Sequence, residues 1–339
     1  MNETTIATIL FVITAFVFVI GVCIGSFLNV VVLRTLSEES IVFPASKCPK
    51  CQNKLKWWHN IPILSYIFLR GKCGFCKEKI SLQYPIIELI TGIVFALLYL
   101  RYGISLDFAF MATMASLLIV IAGTDFKEKV VYDIHTISLT VVALLYSLTL
   151  TILYLMMIHS KLGVIDFSWN LLLFNPLMHS IYGIIAGIVI MEIMARFGYI
   201  VKKGVRAFEV GDTFIAAAMG AIFGWQLLIL GLIISIIVQV IFFLPIFLKE
   251  LIVNKHYRTL ASFLVFVGIT TTFLLMQHFE ILTSEKTGLF LTSSALLAGS
   301  GLYTSYEILK GLREDPMSGT CLPFGPAMVI ATLILLIIR

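Results

Sequence analysis

Apolar runs long enough to cross a bilayer alternate with short polar connections along nearly the whole chain. The first run is Ile6 to Leu33. Roughly 20 consecutive apolar residues span the hydrocarbon core as a helix. On that criterion further spans are expected near Tyr84 to Leu100, Phe108 to Gly123, Ile134 to Met157, Ser180 to Val201 and Asp212 to Gly224, then near Gln226 to Leu248, Leu260 to Met276, Gly288 to Tyr303 and Pro323 to Ile338. The Asp212 run is short, and the Gly288 run is rich in Ser, Thr and Gly. The pattern predicts an all-α polytopic membrane protein with about 8–10 transmembrane helices. One stretch breaks the rhythm: residues 34–83 are polar and form a small separate domain between the first two spans, leaving 84–339 as a polytopic membrane domain.

Composition agrees with this class. Of 339 residues 60% are hydrophobic and 13% charged, far from the balance of a soluble domain. The net charge of +5 is carried by loops, and no basic stripe is interleaved with aromatics, so membrane lipid is an expected partner and nucleic acid is not. Residues 34–83 hold nine Lys and Arg against three acids, which places them on the cytoplasmic side. Alternation of the spans puts Lys127 and Lys129, Lys202, Lys203 and Arg206, Lys249, Lys255 and Arg258, and Lys310 and Arg313 on the same side. The opposite loops carry little beyond Arg101, Lys161 and Lys286. Met1-Asn2-Glu3 lacks the basic start of a cleavable signal, and the run that follows is longer than a signal's apolar centre, so the first span (1–33) is expected to be retained.

Within the polar stretch, Cys48 and Cys51 form one Cys-x-x-Cys knuckle and Cys73 and Cys76 another, with 21 residues between them. A two-residue gap lets both sulfurs of a knuckle turn toward one ion, so the four thiolates have the spacing of a structural tetrahedral Zn²⁺ site. A pair of disulfides would use the same cysteines, but the basic loop belongs to the reducing cytoplasm, where disulfides are scarce. Cys23 and Cys321, in or beside apolar spans, are expected to be small core residues.

The topology also gathers carboxylates. Asp125 ends the third span, Asp133 begins the fourth, and Glu209 and Asp212 begin the sixth, all on the cytoplasmic face. An acid at a membrane boundary usually faces a bundle interior or a watery cavity. Two carboxylates brought together there cannot both stay ionised, and the resulting acid and base could activate water against a peptide carbonyl. The everyday role of a helix-end Asp is to cap free backbone N–H groups, and Asp133 fits that description. Asp212 fits it less well, because it follows Gly211 and enters the Ala-rich segment Ala216 to Ala218, which suits tight helix packing.

These residues resemble the type IV prepilin peptidases over nearly the whole chain. The first span ends Gly25-Ser26-Phe27-Leu28-Asn29-Val30-Val31-Val32-Leu33-Arg34, the ribbon continues Trp57-Trp58-His59-Asn60-Ile61-Pro62-Ile63-Leu64-Ser65-Tyr66 and Leu69-Arg70-Gly71-Lys72-Cys73, and the second span opens Tyr84-Pro85-Ile86-Ile87-Glu88-Leu89. Pro323-Phe324-Gly325-Pro326 is similar to the family's last-helix signature. The resemblance implies a bifunctional enzyme of the prokaryotic cytoplasmic membrane. Such enzymes cut the basic leader from prepilins and pseudopilins on the cytoplasmic side, and N-methylate the new terminus with S-adenosylmethionine. It implies Asp125 and Asp212 as the catalytic pair and a methyltransferase-associated role for residues 34–83. Departures are Glu209-Val210-Gly211-Asp212 where the family has Gly-x-Gly-Asp, Tyr132 where a Pro commonly precedes Asp133, and two added spans over 260–303.

Asn29 and Glu88, at span ends, are expected either to bond across helices or to face a cytoplasmic cavity. Trp57, Trp58 and His59 are expected to form an interfacial belt or to shape the methyl-transfer site. Two rival classes use the same acids and thiols: a proton- or cation-coupled transporter, and a non-enzymatic zinc-binding membrane scaffold.

Overall fold

The computed structural model describes residues 2–43, 46–48, 50–162, 175–201, 208–253, 257–278, short stretches between 292 and 303, and 324–338. The chain divides into one unit of Met1–Arg196, Ala207–Val238 and Pro323–Arg339, and a second of Phe197–Arg206 and Gln239–Leu322. The helices are α1 (Glu3–Leu36), α2 (Leu64–Phe68), α3 (Gln83–Tyr102), α4 (Leu106–Glu128), α5 (Asp133–Leu162), α6 (Pro176–Val201), α7 (Val210–Val253), α8 (Tyr257–His278) and α9 (Gly325–Ile338), with a 3₁₀ turn at Trp57–Asn60 ahead of α2. Among the described residues, six helices are long and apolar enough to cross a membrane, and Tyr257–Phe273 and Gly325–Ile338 are shorter apolar helices. The protein is therefore a multi-pass helical membrane protein.

Small residues set how the first unit packs. The buried face of α1 carries Gly21, Val22, Gly25, Leu28, Asn29 and Val32 at helical spacing, and it lies against α3 and α4. A Cβ at Gly25 would fall 2.8 Å from the Glu88 Cα, and one at Gly21 would fall 2.9 Å from the Gly92 Cα. The two backbones are thus in near contact, the arrangement that drives helix association where lipid removes the hydrophobic incentive. A second seam joins α6 to α7: a Cβ on Gly183 would collide with the Gly220 carbonyl, and one on Gly220 with that of Gly183. The Ser180 hydroxyl donates to the Ala221 carbonyl at 2.7 Å across the same seam.

Helix α4 is central, touching α1, α3, α5 and α9. Ser105 caps its start, accepting from the Phe108 N–H at 3.1 Å. Its other end closes on Lys129 in the left-handed conformation (φ 55°), whose N–H bonds the Asp125 carbonyl at 2.8 Å. Its Met114 and Leu118 are fully buried in one core cluster with Leu139, Met191, Ile215 and Met328.

The adjacent expected runs Asp212 to Gly224 and Gln226 to Leu248 are the two helical stretches of α7, which meet at a break in the helical backbone at Gly224 (φ 73°, ψ 173°). That break explains the short first run, because a positive φ costs glycine nothing. The Leu260 to Met276 run lies within the helix α8, whose described apolar part, Tyr257–Phe273, is shorter than the six spanning helices, whereas the Gly288 to Tyr303 expectation falls largely outside the described residues.

Candidate active site

Asp125 sits in the last turn of α4 and is 4% exposed. The Gly325 N–H, at the start of α9, points at its carboxylate, while Oδ2 is buried without a hydrogen-bond partner of good geometry. A Cβ on Gly325 would collide with that oxygen. The last helix is therefore seated directly on the carboxylate, and only glycine allows it.

Asp212, the third residue of α7, is 7% exposed, and its Oδ2 accepts from the Glu209 N–H at 3.2 Å. What brings it to Asp125 is Gly211: a Cβ there would lie 2.6 Å from Cβ of Val131, in the connection between α4 and α5. The start of α7 thus rests on the chain that leaves Asp125. The charge of Asp125 acts on Asp212, and that of Glu209 acts on both. Glu209 itself is exposed and forms no ion pair among the described residues. The Thr213 hydroxyl, beside Asp212, is also buried without a partner.

Two nearly buried carboxylates with an unpaired oxygen are costly to maintain, since a buried polar atom left unmade loses about 1–3 kcal/mol. Such arrangements concentrate where a protein does chemistry. Asp133 stands apart in kind. It is exposed in the first turn of α5, where a negative charge suits the helix dipole.

The four cysteines of the polar segment converge. The Sγ atoms of Cys48, Cys51, Cys73 and Cys76 all lie within 4.8 Å of one another, and those of Cys48 and Cys76 are 3.9 Å apart. A tetrahedron with Zn–S bonds of about 2.3 Å has edges of about 3.8 Å, so the cluster can hold a metal ion. The two knuckles repeat one local design. Lys47 pairs with Lys54 and Lys72 with Lys79 in isolated antiparallel bridges. The Cys48 N–H reaches the Asn53 carbonyl at 3.0 Å, and that of Cys73 reaches the Glu78 carbonyl at 2.7 Å. The residue after each second cysteine, Gln52 (φ 58°) or Lys77 (φ 61°), is left-handed, a conformation that sequence alone gave no glycine to announce. Backbone N–H groups of Cys76 and Phe75 favour the charged form of the Cys73 thiol and bring it down to about 6, while burial and the neighbouring sulfurs push the Cys76 thiol up to about 11.

The polar span-end residues tie this segment to the bundle. Glu88 Oε2 accepts from the Ile63 N–H at 2.7 Å, and the Asn29 amide donates to the Tyr84 carbonyl at 3.1 Å. Of the two expectations for these residues, cross-element bonding is the one realised. His59 lies outside the thiolate cluster, and a Cβ on Gly74 would meet its ring at 3.0 Å. Cys23 is exposed on the outer side of α1, not a core residue as expected, because the buried stripe of α1 runs through Val22 and Gly25 instead. Cys321 lies outside the described residues.

The contact of Gly325 with Asp125 and the lodging of Val131 on Gly211 escape a reading of sequence. Both glycines were visible, but not what each admits.

A family model described as the bacterial peptidase A24 N-terminal domain matches residues 19–102. Among curated proteins, the prepilin leader peptidase/N-methyltransferase of Myxococcus xanthus is 32% identical over 214 residues, covering 63% of this chain and 57% of that relative's length. The protein of the same name from Klebsiella pneumoniae is 30% identical over 220 residues, covering 63% of this chain and 86% of the relative. That from Neisseria gonorrhoeae is 30% identical over 254 residues, covering 66% and 81%. No solved structure matches the chain. With identity of this order extending over most of the length of two such proteins, the chain belongs to the prepilin leader peptidase/N-methyltransferase family.

Proposed function

We propose that Asp125 and Asp212 are the catalytic pair of an aspartyl endopeptidase that removes the leader peptide of type IV prepilins or pseudopilins on the cytoplasmic side of the membrane. The observation that carries this reading is the convergence of the two buried carboxylates, with one Asp125 oxygen left unpartnered and the exposed Glu209 beside them. The names of the family relatives supply the substrate class.

In the proposed reaction the substrate's apolar segment docks laterally between helices, and its basic leader stays at the polar boundary. One carboxylate takes a proton from water as the oxygen attacks the scissile carbonyl. The other carboxyl donates a proton to the departing amide nitrogen, so the pair ends with its protonation exchanged and is reset from solvent. Burial matters here because electrostatic interactions strengthen where water is excluded.

Cys48, Cys51, Cys73 and Cys76 would hold a structural Zn²⁺, which fixes the two knuckles relative to each other and leaves no coordination position for chemistry. N-methylation of the new terminus is also part of the proposal. When bound, S-adenosylmethionine supplies an electrophilic methyl group. Methylation is assigned to the segment 34–83 that the resemblance associates with it.

The test is co-expression with candidate prepilins, followed by mass measurement of the product's N-terminus. Asp125→Asn and Asp212→Asn should each abolish cleavage while leaving the protein folded and inserted. Parental processing by both single variants would refute the assignment.

A further inference from the structure

The apolar surface of the cysteine segment remains unexplained by peptide cleavage. In α2, Leu64, Ile67 and Phe68 are 50%, 61% and 80% exposed, and their i, i+3, i+4 spacing puts them on one face. Trp57 and Trp58, in the 3₁₀ turn that packs against α2, are exposed as well. A contiguous exposed apolar face of this kind marks an interaction surface.

Three observations identify what covers it. The first is depth. Ile63, immediately before α2, donates its N–H to Glu88, and Glu88 is the sixth residue of α3, roughly 7.5 Å along that helix from its start at 1.5 Å per residue. The turn leading into α2 is therefore held at the level of the second turn of a membrane-spanning helix, not out in the water. The second is rigidity. Ile63 has φ 57° and ψ −52°, and the Leu64 N–H reaches the Pro62 carbonyl at 2.5 Å. This is a γ-turn of the rare positive-φ kind, unfavourable for a β-branched residue and sustained only where the surroundings over-determine it. The Glu88 bond is the surrounding that does so. The third is continuity and charge. On α3, Ile86, Leu89, Ile90 and Ile93 are exposed at the same level and below, as a lipid-facing surface must be. The segment around α2 carries nine cations against three acids, which complements anionic headgroups, and Lys56 lies over the Trp58 ring at 5.0 Å.

We propose that α2 and the Trp57–Trp58 turn form an interfacial anchor seated in the headgroup region of the bilayer. Glu88 is its positioning residue, so the cysteine knuckles are carried on the membrane surface and not suspended in water. An apolar face lying in the plane of the interface, with cations around it, is how monotopic segments bind lipid. This holds whether or not the aspartates cleave a peptide.

The full chain reconstituted in phosphatidylcholine vesicles containing phosphatidylglycerol provides the test. All four native tryptophans, Trp57, Trp58, Trp169 and Trp225, are changed to Phe, and Phe68→Trp then reports alone. Its emission should be largely lost with lipids brominated near the headgroup end of the acyl chain, less affected by bromines near the methyl end, and shielded from aqueous iodide. Full quenching by iodide with no response to either brominated lipid would overturn the proposal. Shielding from both quenchers would overturn it too, since that result means protein covers the face, as in a pairing of two copies. Should that background fail to insert, the chain carrying only Trp169→Phe and Trp225→Phe gives the same readout from Trp57 and Trp58. Glu88→Ala should move the reporter toward iodide with metal content retained, and Glu88→Gln, which keeps an acceptor, should restore shielding. Unchanged quenching in Glu88→Ala would remove Glu88 from the account.

Discussion

Gly325→Ala is the smallest change that separates a seated last helix from one that is merely nearby. The added methyl would occupy space now held by Oδ2 of Asp125, so either α9 or the carboxylate must shift. Inserting a methyl into a filled site typically costs about 1–3 kcal/mol. The N–H of Gly325 faces the same carboxylate, so a shift of either group also changes how that charge is held. Stability should therefore fall by about 1–3 kcal/mol. On the proposed role of Asp125 the larger effect is on rate, because displacing a reacting group by about 1 Å costs on the order of 100-fold, equivalent to about 2.7 kcal/mol of barrier. Purified protein in lipid vesicles, assayed for prepilin cleavage by mass, gives kcat/KM, and thermal unfolding of the same sample gives stability. Gly268→Ala, in α8 where an added Cβ meets nothing within 4 Å, serves as the control and should match the parental protein in both. Gly325→Ala with parental kcat/KM and unchanged unfolding would refute the seating of α9 on Asp125. A rate loss fully accounted for by less folded protein would refute its catalytic consequence.

Other perturbations probe separate parts of the molecule. Cys73→Ser should reduce bound zinc from about one ion per chain to a small fraction, read by a chelating dye, since a tetrathiolate site loses its closure with one ligand gone. Gly220→Val drives a side chain into the Gly183 carbonyl, and should destabilise the protein by at least about 1–3 kcal/mol in thermal unfolding. Asp133→Asn changes an exposed first-turn acid, and should leave cleavage intact and cost at most about 0.3–1 kcal/mol of helix-dipole stabilisation.

Sequence by itself determined the class of the protein and the identity of its chemical groups. Hydrophobic run length is set by bilayer thickness, so α1, α3, α4 and α5 were legible from the apolar pattern alone. The two Cys-x-x-Cys knuckles were legible because metal geometry is encoded in a spacing of two residues, and the structure brings all four sulfurs together. Asp125 and Asp212 could be named as candidates because acids at a membrane boundary are expensive wherever they occur. Tertiary structure decided what lies against what. Helix association in lipid depends on which small residues face each other, and no periodicity says that Gly183 meets Gly220, that Gly211 admits Val131, or that Gly325 admits a carboxylate. It decided also that Glu88 reaches back to Ile63, a contact that holds a strained turn at the bilayer edge and gives the cysteine segment its place. These are long-range choices between chemically similar options, and only the packed backbone can make them.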